Sequence, residues 1–276
     1  MFAAVGGCTI LDWFQCRSYR VRPFRDRRRA ASRCGGQRMK HGLKERLRAG
    51  ETVAICNPDF PTPRLIEFIG TLGFDTVFID CEHASTDFAA VEELARAARS
   101  CSMASVVRPW SNEPGLINRY LSCGVDGIQT PHVDSVAEAK AIIEGISQWE
   151  GDHKEKLLVV MIESEKALSN LQQMLAAIDA DVFYIGAVDL AQSMGLKGQP
   201  GHPRVRNAVE AAIATIAKSG RVAGMNVQGD LDAVAHYRRL GLRWINVHLK
   251  TFVSNEARNF LGNIHAAMNT DRPFGI

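Results

Sequence analysis

Apolar, strand-like runs alternate with amphipathic, helix-like stretches from Met39 to the end of the chain, and this alternation constrains the fold more than any other feature. The stretches between the runs carry apolar residues at i, i+3, i+4 and i+7, which is typical of helices with one buried face. The apolar or β-branched runs predict eight strands, at Thr52–Cys56, Thr76–Asp80, Ser105–Arg108, Gly127–Pro131, Leu157–Glu163, Val182–Gly186, Val222–Val227 and Trp244–Leu249.

Eight strand–helix units in residues 39–276 predict a single α/β domain, a (β/α)8 TIM barrel, for which roughly 250 residues is typical. The strands are continuously apolar, as expected when helices cover one side and the core covers the other. A doubly wound open sheet is the alternative, but it favours a glycine-rich phosphate turn after its first strand. This chain has Asn57-Pro58-Asp59 at that point.

Residues 1–38 differ from the rest in charge. They hold nine arginines against two aspartates, a net charge of +7, so the remaining residues carry −4 of the chain's total of +3. They lack a sustained apolar period, and we expect a disordered extension or translation that starts upstream of a true start at Met39. A basic arm for nucleic acid and an arginine-rich transit peptide are the alternatives.

The remaining composition narrows the class of protein. No apolar run approaches the roughly 20 residues that span a bilayer, which excludes an integral membrane protein. The chain has seven cysteines, an odd number, and no CxxC pair, which argues against a disulfide framework or a zinc knuckle. A reducing compartment fits better, and we expect a cytoplasmic protein.

Charged or polar residues follow four of the predicted strands. Asp80 and His83 follow the second strand, Arg108 ends the third, Glu163 ends the fifth and Asp189 follows the sixth. Chemistry in a TIM barrel takes place at the C-terminal ends of the strands. Any one of these residues could instead cap the next helix, but their recurrence favours an active site.

The residue types indicate a particular chemistry. Glu163 and Asp189 would repel each other on one rim unless a cation lay between them, and a hard divalent cation prefers oxygen ligands; a pair of helix caps is the alternative. Arg108 can grip a carboxylate in two places. His83 can move a proton near neutral pH, and Asp80 could orient it. Together they predict a site for a 2-oxo acid.

The sequence resembles a known family, the class II (metal-dependent) pyruvate aldolases, typified by 4-hydroxy-2-oxoheptanedioate aldolase and 2-dehydro-3-deoxyglucarate aldolase. The resemblance spans nearly all of residues 43–260, and its specificity comes from the order and spacing of several segments together. These segments are Phe74–Asp87 (FDTVFIDCEHASTD), Val107–Pro114 (VRPWSNEP), Gly124–Val133 (GVDGIQTPHV), Met161–Glu163 (MIE) and Gly186–Gly195 (GAVDLAQSMG).

This resemblance implies a barrel of the phosphoenolpyruvate/pyruvate type that cleaves a 4-hydroxy-2-oxo acid, through an enolate, to pyruvate or a close 2-oxo acid plus an aldehyde. The enzyme would be a carbon–carbon lyase that uses Mg²⁺, Mn²⁺ or Co²⁺, binds neither nucleic acid nor membrane, and forms a homo-oligomer, commonly a hexamer. Glu163 and Asp189 would be the metal ligands. Arg108 would bind the keto acid and stabilise its enolate.

The resemblance also assigns the residues that would transfer the proton and bind the substrate carboxylate. His83, paired with Asp80, would be the acid/base residue. The backbone near Gly186 and Ala187 would contact the carboxylate of the substrate.

The chain departs from the family at four places. Met161 stands where the family often has Gln, and Ala187 where it often has Pro. Gly145–Lys156 is short where many members have a long Gly/Arg-rich loop, so part of the rim of the site is expected to be missing. His248 and Lys250 stand where Gly and Asp are usual. The resemblance therefore does not predict which aldehyde the enzyme releases.

Two other functions remain as alternatives. One is a related barrel lyase that acts on a malyl or citramalyl coenzyme A thioester, which the acidic balance after Met39 disfavours. The other is a barrel that binds a keto acid or a partner protein without turnover. A Schiff-base mechanism is disfavoured because Lys250 is the first lysine at an interior strand end. His132 either lines the site or acts as a cap.

Overall fold

A computed structural model describes the backbone of residues 42–270 and the side chains of residues 42–264. The predicted N-terminal extension, residues 1–38, lies outside the described residues. Within residues 42–270, no helix is long and apolar enough to cross a membrane.

The strands form one closed parallel barrel in chain order, with β8 pairing with β1 to complete the ring. The predicted TIM barrel is confirmed, and each predicted strand lies within two residues of an observed one at either end. The strands are β1 Val53–Asn57, β2 Thr76–Asp80, β3 Ala104–Arg108, β4 Gly127–Thr130, β5 Leu157–Ile162, β6 Val182–Ile185, β7 Val222–Asn226 and β8 Leu242–His248.

Helices surround the barrel and separate successive strands. They are α1 Leu43–Arg48, α2 Pro63–Thr71, α3 Phe88–Ser100, α4 Pro114–Ser122, α5 Val136–Ser147, α6 Glu165–Ala177, α7 Ala187–Ser193, α8 Pro203–Lys218, α9 Leu231–Leu240 and α10 Leu249–Thr270.

Several helices begin at a residue whose side chain binds the first free backbone N–H groups. Thr62, Asp87, Ser135 and Ser164 each accept the N–H of the residue three positions on. These side chains satisfy donors that the helix itself leaves unpaired. They fix where each helix leaves the loop that follows its strand.

The apolar core has two layers. The larger layer lies between the strands and the surrounding helices and is built from the helix stripes that the sequence predicted. The smaller layer fills the barrel with buried side chains that include Phe78, Val106, Val159 and Trp244. α1 adds Leu43 and Leu47 to this inner layer.

An aspartate directly precedes each of β2, β4 and β6 and binds the strand before it. Its carboxylate accepts the backbone N–H of the second residue of that strand, at 2.8–2.9 Å. The pairs are Asp75 with Ala54, Asp126 with Ser105 and Asp181 with Leu158. These bonds lie at the N-terminal ends of the strands, away from the face where TIM-barrel chemistry occurs.

The segment Gly145–Lys156 corrects one prediction. It completes α5 and then forms a short 3₁₀ turn at His153–Glu155 that leads into the start of β5. Lys154 and Lys156 line a second cavity, of about 490 Å³, together with residues of α1. A connection from a helix to the next strand lies at the N-terminal face of the barrel, so the expectation that its shortness removes part of the site's rim is wrong for this chain.

Four cysteines fall within the described residues, and all four are free thiols. Cys56, Cys81 and Cys123 are buried, and Cys101 is partly exposed. Burial raises the pKa of the Cys56 thiol to about 12, and the negative charge of Asp59 adds to that effect. The buried thiols pack as small apolar residues.

Candidate active site

A cavity of about 740 Å³ opens at the C-terminal ends of the strands. Six of the sequence-predicted site residues line it, namely Asp80, His83, Arg108, Gly186, Ala187 and Asp189. Glu163 lies immediately behind Gly186, since a Cβ atom added to Gly186 would be 2.8 Å from the Oε2 atom of Glu163. The structure therefore brings all the predicted residues to one place.

The guanidinium of Arg108 is held on two sides by carboxylates. Its Nη2 and Nε atoms donate to the two oxygens of Asp80, at 2.6 and 3.1 Å. Its Nη1 atom lies 2.9 Å from Oε2 of Glu82. The Phe78 ring packs against the guanidinium, with 5.6 Å between Cζ and the ring centroid. Arg108 is thus fixed in one orientation and still lines the cavity.

The carboxylate of Asp80 binds the guanidinium of Arg108. It does not bind the imidazole of His83, which is the pairing that the resemblance implies. One oxygen of Asp80 accepts the backbone N–H of His83, at 3.3 Å. The imidazole of His83 is 66% exposed, and its nearest charged partner is Glu82, at 4.0 Å. The guanidinium fork matches a carboxylate in two places at once, which explains why Asp80 turns toward Arg108.

Glu163 is a buried carboxylate with only half of its hydrogen-bonding capacity used. Oε1 accepts the backbone N–H of His132 at 2.6 Å and lies 3.0 Å from Nδ1 of the same residue. Oε2 is buried and has no hydrogen-bond partner among the described residues. Burial raises the pKa of Glu163, and the negative charges of Asp189 and Glu82 raise it further, against the opposing N–H of His132.

Asp189 is the third residue of α7, one strand along the ring from Glu163. It is partly exposed to the cavity. No hydrogen bond or ion pair joins its side chain to another described residue, and the N-cap of α7 is Gly186. α6 is capped by Ser164 rather than by Glu163. The alternative interpretation of Glu163 and Asp189 as a pair of helix caps is therefore not supported.

The two carboxylates fit a divalent cation. Glu163 has an unpaired, buried oxygen, its charged form is disfavoured by Asp189, and Gly186 leaves beside that oxygen the space that a Cβ atom would fill. A hard cation with oxygen ligands would satisfy all three conditions. Between residues 42 and 264, no group of three or more His, Cys, Asp or Glu side chains is arranged to hold a metal ion.

The sequence did not assign Glu82 to the site, and it left His132 either lining the site or acting as a cap. Glu82 contacts both Arg108 and Nε2 of His132, each at 2.9 Å. His132 has a left-handed backbone (φ 53°) and spans Glu82 and Glu163 through its two ring nitrogens. Glu82 stands two residues after Asp80 at the end of β2, and this position was a signal for it. The direction of a side chain in a loop, however, is set by tertiary contacts that periodicity does not encode.

Comparisons with known proteins agree with this geometry. Residues 60–254 match the model of the HpcH/HpaI aldolase/citrate lyase family. A hydroxypyruvate/pyruvate aldolase of Cupriavidus necator is 32% identical over 236 residues, which cover 77% of this chain and 87% of that protein. A 4-hydroxy-2-oxo-heptane-1,7-dioate aldolase of Escherichia coli is 28% identical, over 84% of this chain and 97% of that protein.

Solved structures share the fold. The crystal structure of an HpcH/HpaI aldolase from Desulfitobacterium hafniense superposes with a TM-score of 0.73, at 20% identity, covering 81% of this chain and 96% of that one. The match to the family model and the sequence similarity to the aldolases confirm the family resemblance read from the sequence. The chain belongs to the HpcH/HpaI aldolase/citrate lyase family and is a carbon–carbon lyase of the aldolase kind.

Proposed function

We propose that this protein is a divalent-metal-dependent aldolase that cleaves a 4-hydroxy-2-oxo acid to pyruvate, or a close 2-oxo acid, plus an aldehyde, and catalyses the reverse condensation. One observation carries the proposal. Arg108, held in place by two carboxylates, lines the same cavity as Asp189. The unpaired oxygen of Glu163 lies just behind Gly186, which lines that cavity. The names of the relatives in Cupriavidus necator and Escherichia coli support the same chemistry.

Arg108 and the start of α7 would bind the 2-oxo acid. The N–H of Gly186 already donates to the carbonyl of Ile162, at 3.1 Å. Ala187 is the first residue of α7, and the helix provides no partner for its N–H. The Ala187 N–H is therefore available to the substrate carboxylate, while Arg108 faces the keto oxygen.

Glu163 and Asp189 would hold the cation, for which Mg²⁺, Mn²⁺ and Co²⁺ are the candidates. When bound, the cation supplies positive charge that offsets negative charge developing on the keto oxygen. The two carboxylates contribute the oxygen ligands that these ions prefer.

Arg108 would stabilise the enolate that forms when the C3–C4 bond breaks. Asp80 and Glu82 hold its guanidinium before the substrate arrives, so its charge is already directed at the developing oxyanion. Preorganised charge of this kind needs no rearrangement at the moment of reaction and is commonly the largest contribution of a site to rate.

His83 would exchange a proton with C3 of the enolate. Its ring lines the cavity beside Arg108 and is largely exposed, so it can exchange its own proton with water. A single proton-transfer residue contributes roughly 10²–10⁴-fold to a rate, and loss of His83 should be less severe than loss of Arg108 together with the cation.

The setting of the enzyme is part of the proposal. α10 exposes several apolar side chains, among them Phe252, Val253, Phe260 and Leu261, which supports a homo-oligomer such as a hexamer. The free cysteines support a reducing compartment such as the cytoplasm. Light scattering on the purified protein gives the oligomeric state directly.

The direct test follows pyruvate release from a panel of 4-hydroxy-2-oxo acids, with the protein as purified, after EDTA treatment, and after Mn²⁺ is restored. We expect release that chelation abolishes and Mn²⁺ restores. Undiminished activity in chelator would remove the metal from the proposal. Binding of pyruvate and Mn²⁺ without turnover of any substrate in the panel would instead favour a non-catalytic barrel.

A further inference from the structure

A second cluster of polar side chains lies at the mouth of the same cavity and has no role in the function proposed above. It consists of Asp59, in the loop after β1, His248, the last residue of β8, and Lys250. β1 and β8 are neighbours in the ring, with Asn57 paired with His248. Nδ1 of His248 lies 2.7 Å from Oδ1 of Asp59, and Nζ of Lys250 lies 3.1 Å from the same oxygen.

Asp59 is built into this position. Its side chain is only 6% exposed, and its backbone is left-handed (φ 59°). Its own N–H donates to the side chain of Asn57, at 2.9 Å, and its Oδ2 accepts the backbone N–H of Lys250, at 2.8 Å. Burial alone would raise the pKa of Asp59, but the hydrogen bonds from Lys250 and His248 outweigh it and lower the pKa.

An ionised Asp59 determines the tautomer of His248. A carboxylate can only accept hydrogen bonds, so the proton of the neutral imidazole must sit on Nδ1, and the lone pair is then on Nε2. Nε2 has no hydrogen-bond or ion-pair partner among residues 42–264, and His248 lines the cavity. The ring is therefore held at one nitrogen and presents a proton acceptor at the other.

The other two histidines near the site are not arranged in this way. Both ring nitrogens of His132 are occupied by Glu82 and Glu163. His83 has no hydrogen bond to its ring. Of the three, His248 alone lines the cavity with one ring nitrogen held by a carboxylate and the other without a partner among residues 42–264.

The position of His248 around the ring suits the aldehyde half of a substrate. Arg108, Glu163 and Asp189 lie on β3, after β5 and after β6, whereas β8 and β1 lie across the mouth. A 4-hydroxy-2-oxo acid held at its keto-acid end by Arg108 must extend its fourth carbon into the rest of the cavity. That part is lined by residues at the C-terminal ends of β7, β8 and β1 and just after them, including Asn226, Gln228 and His248.

We propose that His248, positioned by Asp59, is the acid–base residue for the aldehyde half of the substrate, an inference that rests on the aldolase function proposed above. In cleavage, Nε2 takes the proton of the C4 hydroxyl, the C4–O bond becomes the aldehyde carbonyl, and the electron pair of the breaking C3–C4 bond passes to C3 to give the enolate. The imidazolium, stabilised by Asp59, returns its proton to solvent while C3 takes one up, so charge and protons balance.

This division of labour separates two steps that one histidine would otherwise perform. His83 would serve C3 of the enolate, and His248 would serve the oxygen on C4.

The experiment compares cleavage of 4-hydroxy-2-oxopentanoate with exchange of the pyruvate methyl protons into D₂O, on the full chain supplemented with Mn²⁺. Exchange needs the keto-acid half of the site but no aldehyde. In His248→Gln we expect kcat for cleavage to fall by roughly 10²–10⁴-fold, with KM and the exchange rate within threefold of the parent. In His248→Ala, added imidazole should restore part of the cleavage rate.

His236→Gln is the matched control, since His236 also pairs with a carboxylate, that of Glu210 at 3.0 Å, away from the cavity lining. It should leave both reactions unchanged. Circular dichroism melting of all variants confirms the fold.

Asp59→Asn tests the positioning role. It keeps the shape of the side chain and removes the charge that stabilises the imidazolium, so we expect a lower kcat and an acid limb of the pH–kcat profile shifted to lower pH. The other charged or titratable groups that line this half of the cavity are Lys250, Arg206, Asp230 and Tyr237. An unshifted profile would limit Asp59 to a structural role and overturn its part of the proposal.

Each remaining outcome is decisive. A His248→Gln variant with unchanged kcat, or with only a raised KM, would overturn the proposal and leave His248 as a binding residue. An equal fall in exchange would place its action at C3. A parent protein that neither exchanges pyruvate protons nor cleaves the substrate would overturn the aldolase function itself, and this inference with it.

Discussion

Glu163 accepts the backbone N–H of His132 at 2.6 Å through one carboxylate oxygen, while its second oxygen is buried without a partner among the described residues. Because His132 lies in the loop after β4 and Glu163 follows β5, this bond ties two adjacent strand ends together. It holds the carboxylate in place and directs its unpaired oxygen toward Gly186. A buried charge in this state costs free energy until a cation pairs with it.

We expect the affinity for Mn²⁺ to weaken as the pH falls toward the raised pKa of Glu163. A raised pKa means that the proton stays on the carboxyl up to a higher pH than usual, so protons compete with the metal, by about tenfold per pH unit below that pKa. Because the folded protein holds this proton more tightly than the unfolded chain does, the metal-free protein loses stability as the pH rises through the pKa of Glu163. Titration calorimetry from the lowest pH at which the protein stays folded up to pH 8 measures the affinity.

Two variants make this prediction specific. Glu163→Gln should bind Mn²⁺ weakly and with a much smaller pH dependence. Glu165→Gln changes a half-exposed neighbour two residues away and should behave as the parent. An affinity that stays constant across this range in the parent would contradict the assignment of Glu163 as a ligand.

Gly186→Ala should cost activity while the barrel stays folded. The new Cβ atom would lie 2.8 Å from both Cβ and Oε2 of Glu163, closer than real Cβ contacts allow, so the carboxylate must move. A displacement of about 1 Å in a site commonly costs on the order of 10²-fold in rate. Steady-state kcat and a melting curve measure the two effects separately.

Gly201 supplies the control for this substitution. It lines the same cavity, and a Cβ atom added there would meet nothing within 4 Å. Gly201→Ala should keep kcat within about twofold. Equal losses in the two variants would show that crowding of the cavity, rather than movement of Glu163, is responsible.

Arg108→Lys should lower kcat/KM by about 10²–10³-fold although the positive charge is kept. Lysine cannot bind Asp80 through two parallel bonds and contact Glu82 at once, so the charge would lose its fixed direction. Pyruvate-release kinetics measure the effect. Arg96→Lys, at an exposed residue paired with Glu92, should have no effect, and a mild loss at Arg108 would show that charge alone suffices.

Asp126→Ala should destabilise the protein by about 1–3 kcal/mol and leave kcat unchanged, because it orphans two donors of Ser105, its N–H at 2.8 Å and its hydroxyl at 3.0 Å. Thermal melting and kcat of the metal-loaded protein check both statements. Asp179→Ala removes a 96% exposed carboxylate and should change neither. A large loss of kcat in Asp126→Ala would mean that the two ends of the barrel are coupled.

The sequence predicted the barrel well because a closed parallel sheet buries each strand on both sides. The run Val182–Ile185 is apolar throughout, and the predicted strand ends only one residue beyond it. The position of each charged residue after a strand then placed it on the C-terminal face. Arg108 and Asp189 were found in this way, since the topology alone carries them to one cavity.

Contacts between loops could not be read from periodicity. Asp80 was expected to orient His83, but Arg108, 28 residues further on, binds that carboxylate in two places. The link from Asp59 to His248 spans 189 residues and depends on the closure of β8 against β1. Neither relationship has a local signature in the sequence.

The aspartates that precede β2, β4 and β6 have a consequence for how such a chain can change. They fix the alignment of three strand pairs from the end opposite the cavity, without help from any residue that faces a substrate. Side chains that line the cavity can therefore change while the strands keep their pairing, which gives this chain room to diverge in substrate without diverging in architecture.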